Sequence, residues 1–449
     1  MRLVLVSCFI LFCTVSSSLS WRFKGKQRSP VILSKSIYTR LYLFFLLSLR
    51  REIYFFSEIG NFIAVANIEI KEYWIFPVPG DGGSQVEARL NKTSAVHYLC
   101  EKTSSGYFNI WLNLELLVPV IIDCWIDNMR LVYDNATRTT TNPDGVNIRL
   151  PGWGDPYVVE YLDPSKASPG SYFKDVANML VSDLGYIRNL SIRGAPYDFR
   201  KAPNENAEYF VKLKQLVEET YIINGAEPVT LIAHSMGGPM SMIFLQRQTQ
   251  KWKNQYISSL ITLGAVWGGS VKALKVFAIG DNLGAYVLRE SILKDQQITC
   301  PSLGWLLPSK LFWKNTEVLV QTETKNYTLL DLKDYFVDIG VPDGWEFRKD
   351  TEKYQLDFTA PGVEIHCLHG VNVDTVERYP GIAIDGYPEL IPGNGDGTVN
   401  VRSLEGCLHW QGKQKQRIYH QPFPGVNHME ILRNGTVLDY IRTVLKPSV

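Results

Sequence analysis

The chain has 449 residues, 45% of them hydrophobic and 20% charged, which is globular composition, enough for one large α/β domain with additions or for two or three average domains. A net charge of +1 gives no electrostatic reason to expect a nucleic-acid partner. Aromatics reach 12%, with 11 Trp, which is compatible with a lipid or sugar partner but requires neither.

The chain begins M-R-L-V-L-V-S-C-F-I-L-F-C-T-V-S-S-S-L-S: one Arg, a short apolar run, then small residues. This pattern predicts a secretory signal peptide over 1–20, and the run is too short to span a bilayer comfortably. Residues 21–77 are atypical. The apolar stretch Tyr42 to Leu49 is bracketed by Arg40 and Arg50-Arg51 and reads as a buried or loosely attached extra segment. Tyr73 to Phe76 reads as a strand that enters the Gly-rich loop Val78-Pro-Gly-Asp-Gly-Gly.

Five N-x-S/T sequons, at Asn91, Asn135, Asn189, Asn326 and Asn434, agree with a lumenal or extracellular chain and predict surface positions. Beyond the leader stand Cys100, Cys124, Cys300, Cys367 and Cys407; an oxidising compartment favours two disulfides and one odd thiol. The simplest pairing joins sequence neighbours, Cys100–Cys124 and Cys367–Cys407, which spacing alone does not establish. No C-x-x-C pair suggests zinc. The segment between Cys100 and Cys124 is very apolar, with Trp111, Leu112, Leu114, Leu116 and Leu117. It reads equally well as a core element or as an amphipathic patch that docks on lipid.

From Asn204 to Tyr221 the apolar residues Phe210, Leu213, Leu216 and Val217 share one helical face, and Asn224-Gly225 is a stop signal. Pro228 to Ala233 reads as a buried strand, Met240 to Gln248 as a helix and Ile257 to Leu263 as a second strand. That rhythm predicts a doubly wound parallel sheet.

The stretch L-I-A-H-S-M-G-G sets Ser235 between small residues, directly after a strand and before a helix. A nucleophile elbow has the form G-x-S-x-G, because the serine takes a strained backbone conformation and its neighbours must be small. Ala233 replaces the first Gly, and Gly237 is the second. The serine needs a base, and the base an orienting acid, in the chain order Ser, Asp, His. His428 sits in the turn P-G-V-N-H-M-E, after the strand-like run Gln416 to Phe423 and before a helix read as Met429 to Leu445. His420 lies within the strand, and His366 and His369 flank Cys367 without a turn. Asp396, between glycines in G-N-G-D-G-T, is the candidate acid; the EF-hand Glu of a calcium loop is missing. The backbone N–H groups of Met236 and Asp81 are the candidate oxyanion donors.

Together these residues resemble the lecithin–cholesterol acyltransferase family, most nearly its lysosomal phospholipase A2 (1-O-acylceramide synthase) branch. The matching stretches run in order from Val78 onward: V-P-G-D-G-G-S-Q, H-Y-L-C, I-I-D-C-W-I-D-N, Y-L-D-P-S-K, R-G-A-P-Y-D-F-R, A-P-N-E-N, A-H-S-M-G, F-L-Q-R-Q, D-I-G-V-P-D-G-W, G-D-G-T-V-N and N-H-M-E. The resemblance implies an α/β-hydrolase fold over 78–449, with a small disulfide-closed membrane-binding subdomain near 91–135 and a lid and cap near 266–360. It implies a triad of Ser235, Asp396 and His428, oxyanion donors Asp81 and Met236, and disulfides Cys100–Cys124 and Cys367–Cys407. It implies membrane contact by Trp111 and Leu112, and a lid over 270–297 with Gly280-Asp281-Asn282 at its tip.

The activity implied is a serine phospholipase A and O-acyltransferase that passes an acyl chain to water or to a lipid alcohol such as ceramide. The expected protein is a monomer in the lysosome lumen or secreted, with a phospholipid surface as partner, no metal and no organic cofactor. The alternatives are a secreted phosphatidylcholine–sterol acyltransferase and a catalytically impaired lipid-binding protein. Three positions depart from the family pattern. Val266 stands where the family usually has Pro, and Cys300 has no expected counterpart. Residues 34–77 read as an insertion that interrupts the strand leading to Val78; either it displaces that strand or Tyr73 to Phe76 replaces it.

Overall fold

The computed structural model describes residues 74–166, 170–282, 290–322, 325–380 and 390–446. The expected signal peptide and the apolar stretch of the atypical segment lie outside these residues. A wholly parallel five-stranded sheet runs in chain order through β1 (Trp74–Val78), β2 (Val229–His234), β3 (Ile257–Leu263), β4 (Glu364–Val371) and β5 (Ile418–Pro424). Helices α1 (Lys174–Leu184), α2 (Ala207–Ile223), α3 (Gly237–Gln246), α4 (Val271–Ile279), α5 (Glu290–Gln297) and α6 (Gly435–Leu445) carry the argument below.

Strand β2, V-T-L-I-A-H, is buried at every residue because both faces of the sheet are covered. Period-two alternation divides its side chains between two cores. Phe76, Val78, Leu231 and Ala233 face α2 and α3, where they meet Phe210, Leu213 and Phe244. Ile75, Ile232, Ile261 and Leu368 face α1 and α6, where they meet Val176, Leu180, Val437 and Ile441. The α/β-hydrolase expectation thus holds: a parallel sheet between helical layers, with the serine at the end of an inner strand.

The strand expected at Tyr73 to Phe76 is present among the described residues as Trp74–Val78, and its register places Val78 beside Ala233. β1 therefore occupies its place in the sheet, so displacement of that strand does not occur. Three boundaries differ from expectation for local reasons. Helix α2 starts at Ala207, because the Asn206 amide donates to the carbonyls of Asp198, Lys201 and Ala202 and holds the preceding chain in a turn. Helix α3 starts at Gly237 rather than Met240; its two glycines are helical and buried. The expected helix from Met429 is interrupted, because Asn434 Oδ1 accepts from Thr436 N and caps a new helix there.

The β1–β2 connection carries an antiparallel sheet of Phe108–Trp111, Val86–Leu90 and Val146–Arg149. Beside it lies a loop closed by the Cys100–Cys124 disulfide and a helix over Ile121–Met129. The β3–β4 connection holds α4 and α5 and builds its own core from Phe277, Leu307, Trp313, Tyr335, Phe336 and Phe347. The second disulfide, Cys367–Cys407, ties β4 to the turn Glu405–Trp410. Cys300 is free and buried, and burial pushes its thiol pKa up to about 12.

The membrane-contact expectation for Trp111 is corrected here. Its ring is 6% exposed, its Nε1 donates to Gly82 O at 2.7 Å, and it packs on Trp125 and Phe199. Leu112 is half-buried. The exposed apolar side chains of this region are instead Val96, Tyr98 and Leu99, and Leu114, Val118 and Val120. His97 Nε2 lies 3.0 Å from Val120 O, which joins the two turns that carry them. Asn91, Asn135, Asn189 and Asn326 are exposed, whereas Asn434 is half-buried and engaged as the α6 cap. No described helix is long and apolar enough to cross a membrane.

Candidate active site

Ser235 joins the end of β2 to the start of α3 with φ 55°, the strained left-handed conformation expected of an elbow. Its N–H donates to Leu263 O at 3.0 Å, and Val266 N–H donates to Ser235 O at 3.4 Å. The second bond needs an N–H, which the Val266 departure supplies and proline would lack.

His428 Nε2 lies 2.9 Å from Ser235 Oγ, and His428 Nδ1 lies 2.7 Å from Asp396 Oδ2. Asp396 Oδ1 accepts from the N–H groups of Thr398 and Val399. Its backbone O accepts from His428 N at 2.8 Å, so the acid and base loops are bonded to each other twice. Burial alone would raise the Asp396 pKa, but His428 and the two backbone donors hold it below the usual carboxylate range. Gly264, at φ 60°, passes beneath the pair; a Cβ there would lie 3.1 Å from both Asp396 Oδ2 and His428 Nδ1. This arrangement can move a proton off Ser235 Oγ and stabilise the resulting imidazolium.

The Gly80 loop lies directly against the serine: a Cβ on Gly80 would be 2.6 Å from Ser235 Cβ. Among the described residues, neither Asp81 N–H nor Met236 N–H donates to a protein acceptor, so both are free for an incoming oxygen. The loop is also tied to the base through two residues that sequence reasoning missed. Gly80 N–H donates to Tyr172 Oη at 2.9 Å, so the Tyr172 hydroxyl donates onward to His234 Nδ1 at 2.5 Å. His234 Nε2–H then donates to His428 O at 2.9 Å. Burial, helped by His428, lowers the His234 pKa to about 3, so the ring stays neutral and its tautomer is set by its two partners. His234 was visible as the residue before the serine; Tyr172, 62 positions away, carried no sequence signal.

Desolvation by the surrounding protein, helped by the nearby Asp281 charge, pushes the Asp81 pKa up to about 7, although part of the residue stays open to solvent. Lys272, which pairs with Asp281 at 3.0 Å, opposes that shift. Asp281 belongs to the expected lid tip, whose residues 283–289 lie outside the described ones. Of the other histidines, His366 stacks on Tyr419, and His369 pairs with His420; neither reaches Ser235.

The model of the family "Lecithin:cholesterol acyltransferase" matches residues 107–435. A lysosomal phospholipase A and acyltransferase of Canis lupus familiaris is 49% identical over 373 residues, 82% of this chain and 90% of the relative. The Homo sapiens protein of that name is 49% identical, covering 82% and 89%. A phosphatidylcholine-sterol acyltransferase of Gallus gallus is 41% identical over 366 residues, 80% of this chain and 87% of the relative.

Two outcomes are expected from this geometry. Tyr172→Phe removes the hydroxyl that joins Gly80 to His234, and a lost buried hydrogen bond should slow fluorophosphonate labelling of Ser235 by about tenfold; an unchanged labelling rate would refute the coupling. Ionisation of Asp81 sets a negative charge beside the forming oxyanion, so hydrolysis of a soluble p-nitrophenyl ester should fall as pH rises through about 7. Asp81→Asn should remove that falling limb, and a variant profile that superimposes on the wild type excludes the role.

Proposed function

Because the chain belongs to the lecithin:cholesterol acyltransferase family, we propose that it is a serine phospholipase A and O-acyltransferase acting on membrane glycerophospholipids. The observation that carries this reading is the hydrogen-bonded line from Ser235 Oγ through His428 to Asp396 on a strained elbow.

Ser235 Oγ attacks the ester carbonyl carbon while His428 Nε2 takes its proton. The N–H groups of Asp81 and Met236 hold the oxyanion, commonly the largest single contribution to such a rate. His428 returns the proton to the departing lysophospholipid oxygen, and an acyl-serine remains. Water or the hydroxyl of a lipid alcohol then attacks the acyl-serine, again through His428, giving a fatty acid or a new ester and restoring the Ser235 hydroxyl. Asp396 keeps Nδ1–H in place and stabilises the imidazolium.

Val96, Tyr98, Leu99, Leu114, Val118 and Val120 form the surface that meets the phospholipid bilayer, in place of Trp111. Trp111 instead buttresses Gly82, next to the oxyanion donor. We assign the loop closed by Cys100–Cys124 to membrane docking, 270–297 to a lid, and 34–77 to an insertion whose end supplies most of β1. The protein works in the lysosome lumen or outside the cell, carries glycans at its exposed sequons, and acts as a monomer. Ceramide is the favoured acceptor because the motifs resemble the 1-O-acylceramide synthase branch; the relatives named as lysosomal phospholipase A and acyltransferase are 49% identical against 41% for the sterol acyltransferase.

The test is product analysis on phosphatidylcholine liposomes carrying a short-chain ceramide or cholesterol, with Ser235→Ala as control. Acyl-ceramide and fatty acid are expected, reduced by several orders of magnitude in the variant. Cholesteryl ester would assign the sterol branch, and no product in either arm would overturn the enzyme reading. Leu114→Ser with Val118→Ser should lower the vesicle-bound fraction about tenfold, as expected from losing buried apolar area, while soluble-ester hydrolysis is retained. Equal vesicle binding would remove this surface from the proposal.

A further inference from the structure

At the far edge of the sheet, β4 and β5 carry two histidines that acyl transfer does not use. The parallel register sets Cys367 beside His420 and His369 beside Pro422, so His369 and His420 are diagonal neighbours on one face. Their Nε2 atoms lie 2.8 Å apart. The Cys367–Cys407 disulfide holds the turn Glu405–Trp410 against the same strand. Glu405 opens that turn, and a carboxylate oxygen of Glu405 lies within 4.8 Å of both imidazole nitrogens.

Three features set this cluster apart from a chance meeting of side chains. His369 is 1% exposed, and its Nδ1–H donates to Gly370 O at 2.8 Å. With the proton on Nδ1, the neutral ring turns a lone pair at Nε2 toward His420. A ligating histidine is commonly oriented by such an N–H···O=C bond. Among the described residues the Glu405 carboxylate has no hydrogen-bond or ion-pair partner, although it lies within 4.8 Å of an imidazole nitrogen of each histidine. Finally, His420 and Glu405 are half-buried, which leaves a path from solvent to a donor set whose inner member is fully enclosed.

We propose that His369 Nε2, His420 Nε2 and the Glu405 carboxylate form a binding site for a divalent transition-metal ion of the zinc class, with water completing the coordination. Two imidazoles and one carboxylate suit Zn2+, and Zn–N bonds of about 2.0–2.1 Å in tetrahedral geometry require the two nitrogens to part to about 3.3 Å. The ion competes with a proton. Without metal, His420 Nε2–H donates to His369 Nε2; with metal, His420 carries its proton on Nδ1 instead, and no net proton is released. The site joins β4, the edge strand β5 and the Cys407 turn. It stands behind the acid loop, since a Cβ on Gly370 would touch Asp396 Cβ at 3.1 Å. Its place in sequence gives no motif, because its three ligands come from two strands and a separate turn.

The experiment is isothermal titration of the full chain, first stripped with chelator, with Zn2+ alone, followed by thermal unfolding with and without the ion. His420→Gln and Glu405→Gln each remove one ligand, and His428→Gln controls for Zn2+ capture by the catalytic imidazole and carboxylate. One Zn2+ is expected in wild type and in His428→Gln, with affinity lowered at least about tenfold in His420→Gln and Glu405→Gln. Zn2+ should raise the unfolding temperature only in the proteins that bind it. Fluorophosphonate labelling of Ser235 checks that both ligand variants are folded. The proposal is overturned if wild type binds no Zn2+, if both ligand variants bind it as wild type does, or if binding is lost only in His428→Gln.

Discussion

The ends of β1 and β2 pass so close that neither Gly80 nor Gly237 has room for a side chain. A Cβ on Gly80 would lie 2.6 Å from Ser235 Cβ, and one on Gly237 would lie 2.4 Å from Val78 O. That approach is set by five parallel residue pairs, from Trp74 with Val229 to Val78 with Ala233. It places two free backbone N–H groups beside a serine already held at positive φ. A left-handed non-glycine residue costs on the order of 1–3 kcal/mol and persists only where its surroundings over-determine it. Here they do: Ser235 N, Ser235 O and the packed strand before it are all engaged.

Polar groups beneath this contact are satisfied in one direction only. The sequence of donors from Gly80 through Tyr172 and His234 to the His428 carbonyl leaves no choice of tautomer. Buried polar groups are expensive when unpaired, so each link restrains its neighbours. The oxyanion loop and the base loop come from opposite ends of the chain, yet they share this rigid connection. A displacement of either loop would break a buried hydrogen bond, which makes the spacing between the base and the oxyanion donors a property of the core rather than of the cleft surface.

Much of this was legible in the sequence, and the reasons differ by residue. Ser235, Asp396 and His428 each sit in a short turn at a strand end, where local signals are strong, and the structure brings the three within hydrogen-bonding distance in the expected order. The Val229–His234 and Ile257–Leu263 strands were visible as continuous apolar runs, as strands covered on both faces must be. The apolar run around Trp111 left core and docking readings equal, and the membrane contact came only from the resemblance, because such a run does not say which residues point inward; the Gly82 carbonyl that receives the indole N–H lies 29 positions away. Tyr172 was invisible for the same reason. The start of α3 was placed late because Gly237 and Gly238 carry the signature of a turn, while tight packing against Val78 O and Ala265 demands glycine inside a helix.

Cys300 bears on how the protein acquires its covalent links. Its two disulfides close loops of 24 and 40 residues, each within one region of the chain. The fifth thiol lies between them in sequence and is a potential partner for any of the other four during oxidation. In the folded protein it is enclosed beside Gln296, whose amide donates to Sγ at 3.2 Å, and its thiolate is strongly disfavoured. Exchange needs a thiolate with access to a disulfide. In the folded protein this burial beside α5 therefore keeps Cys300 from exchanging with either bridge.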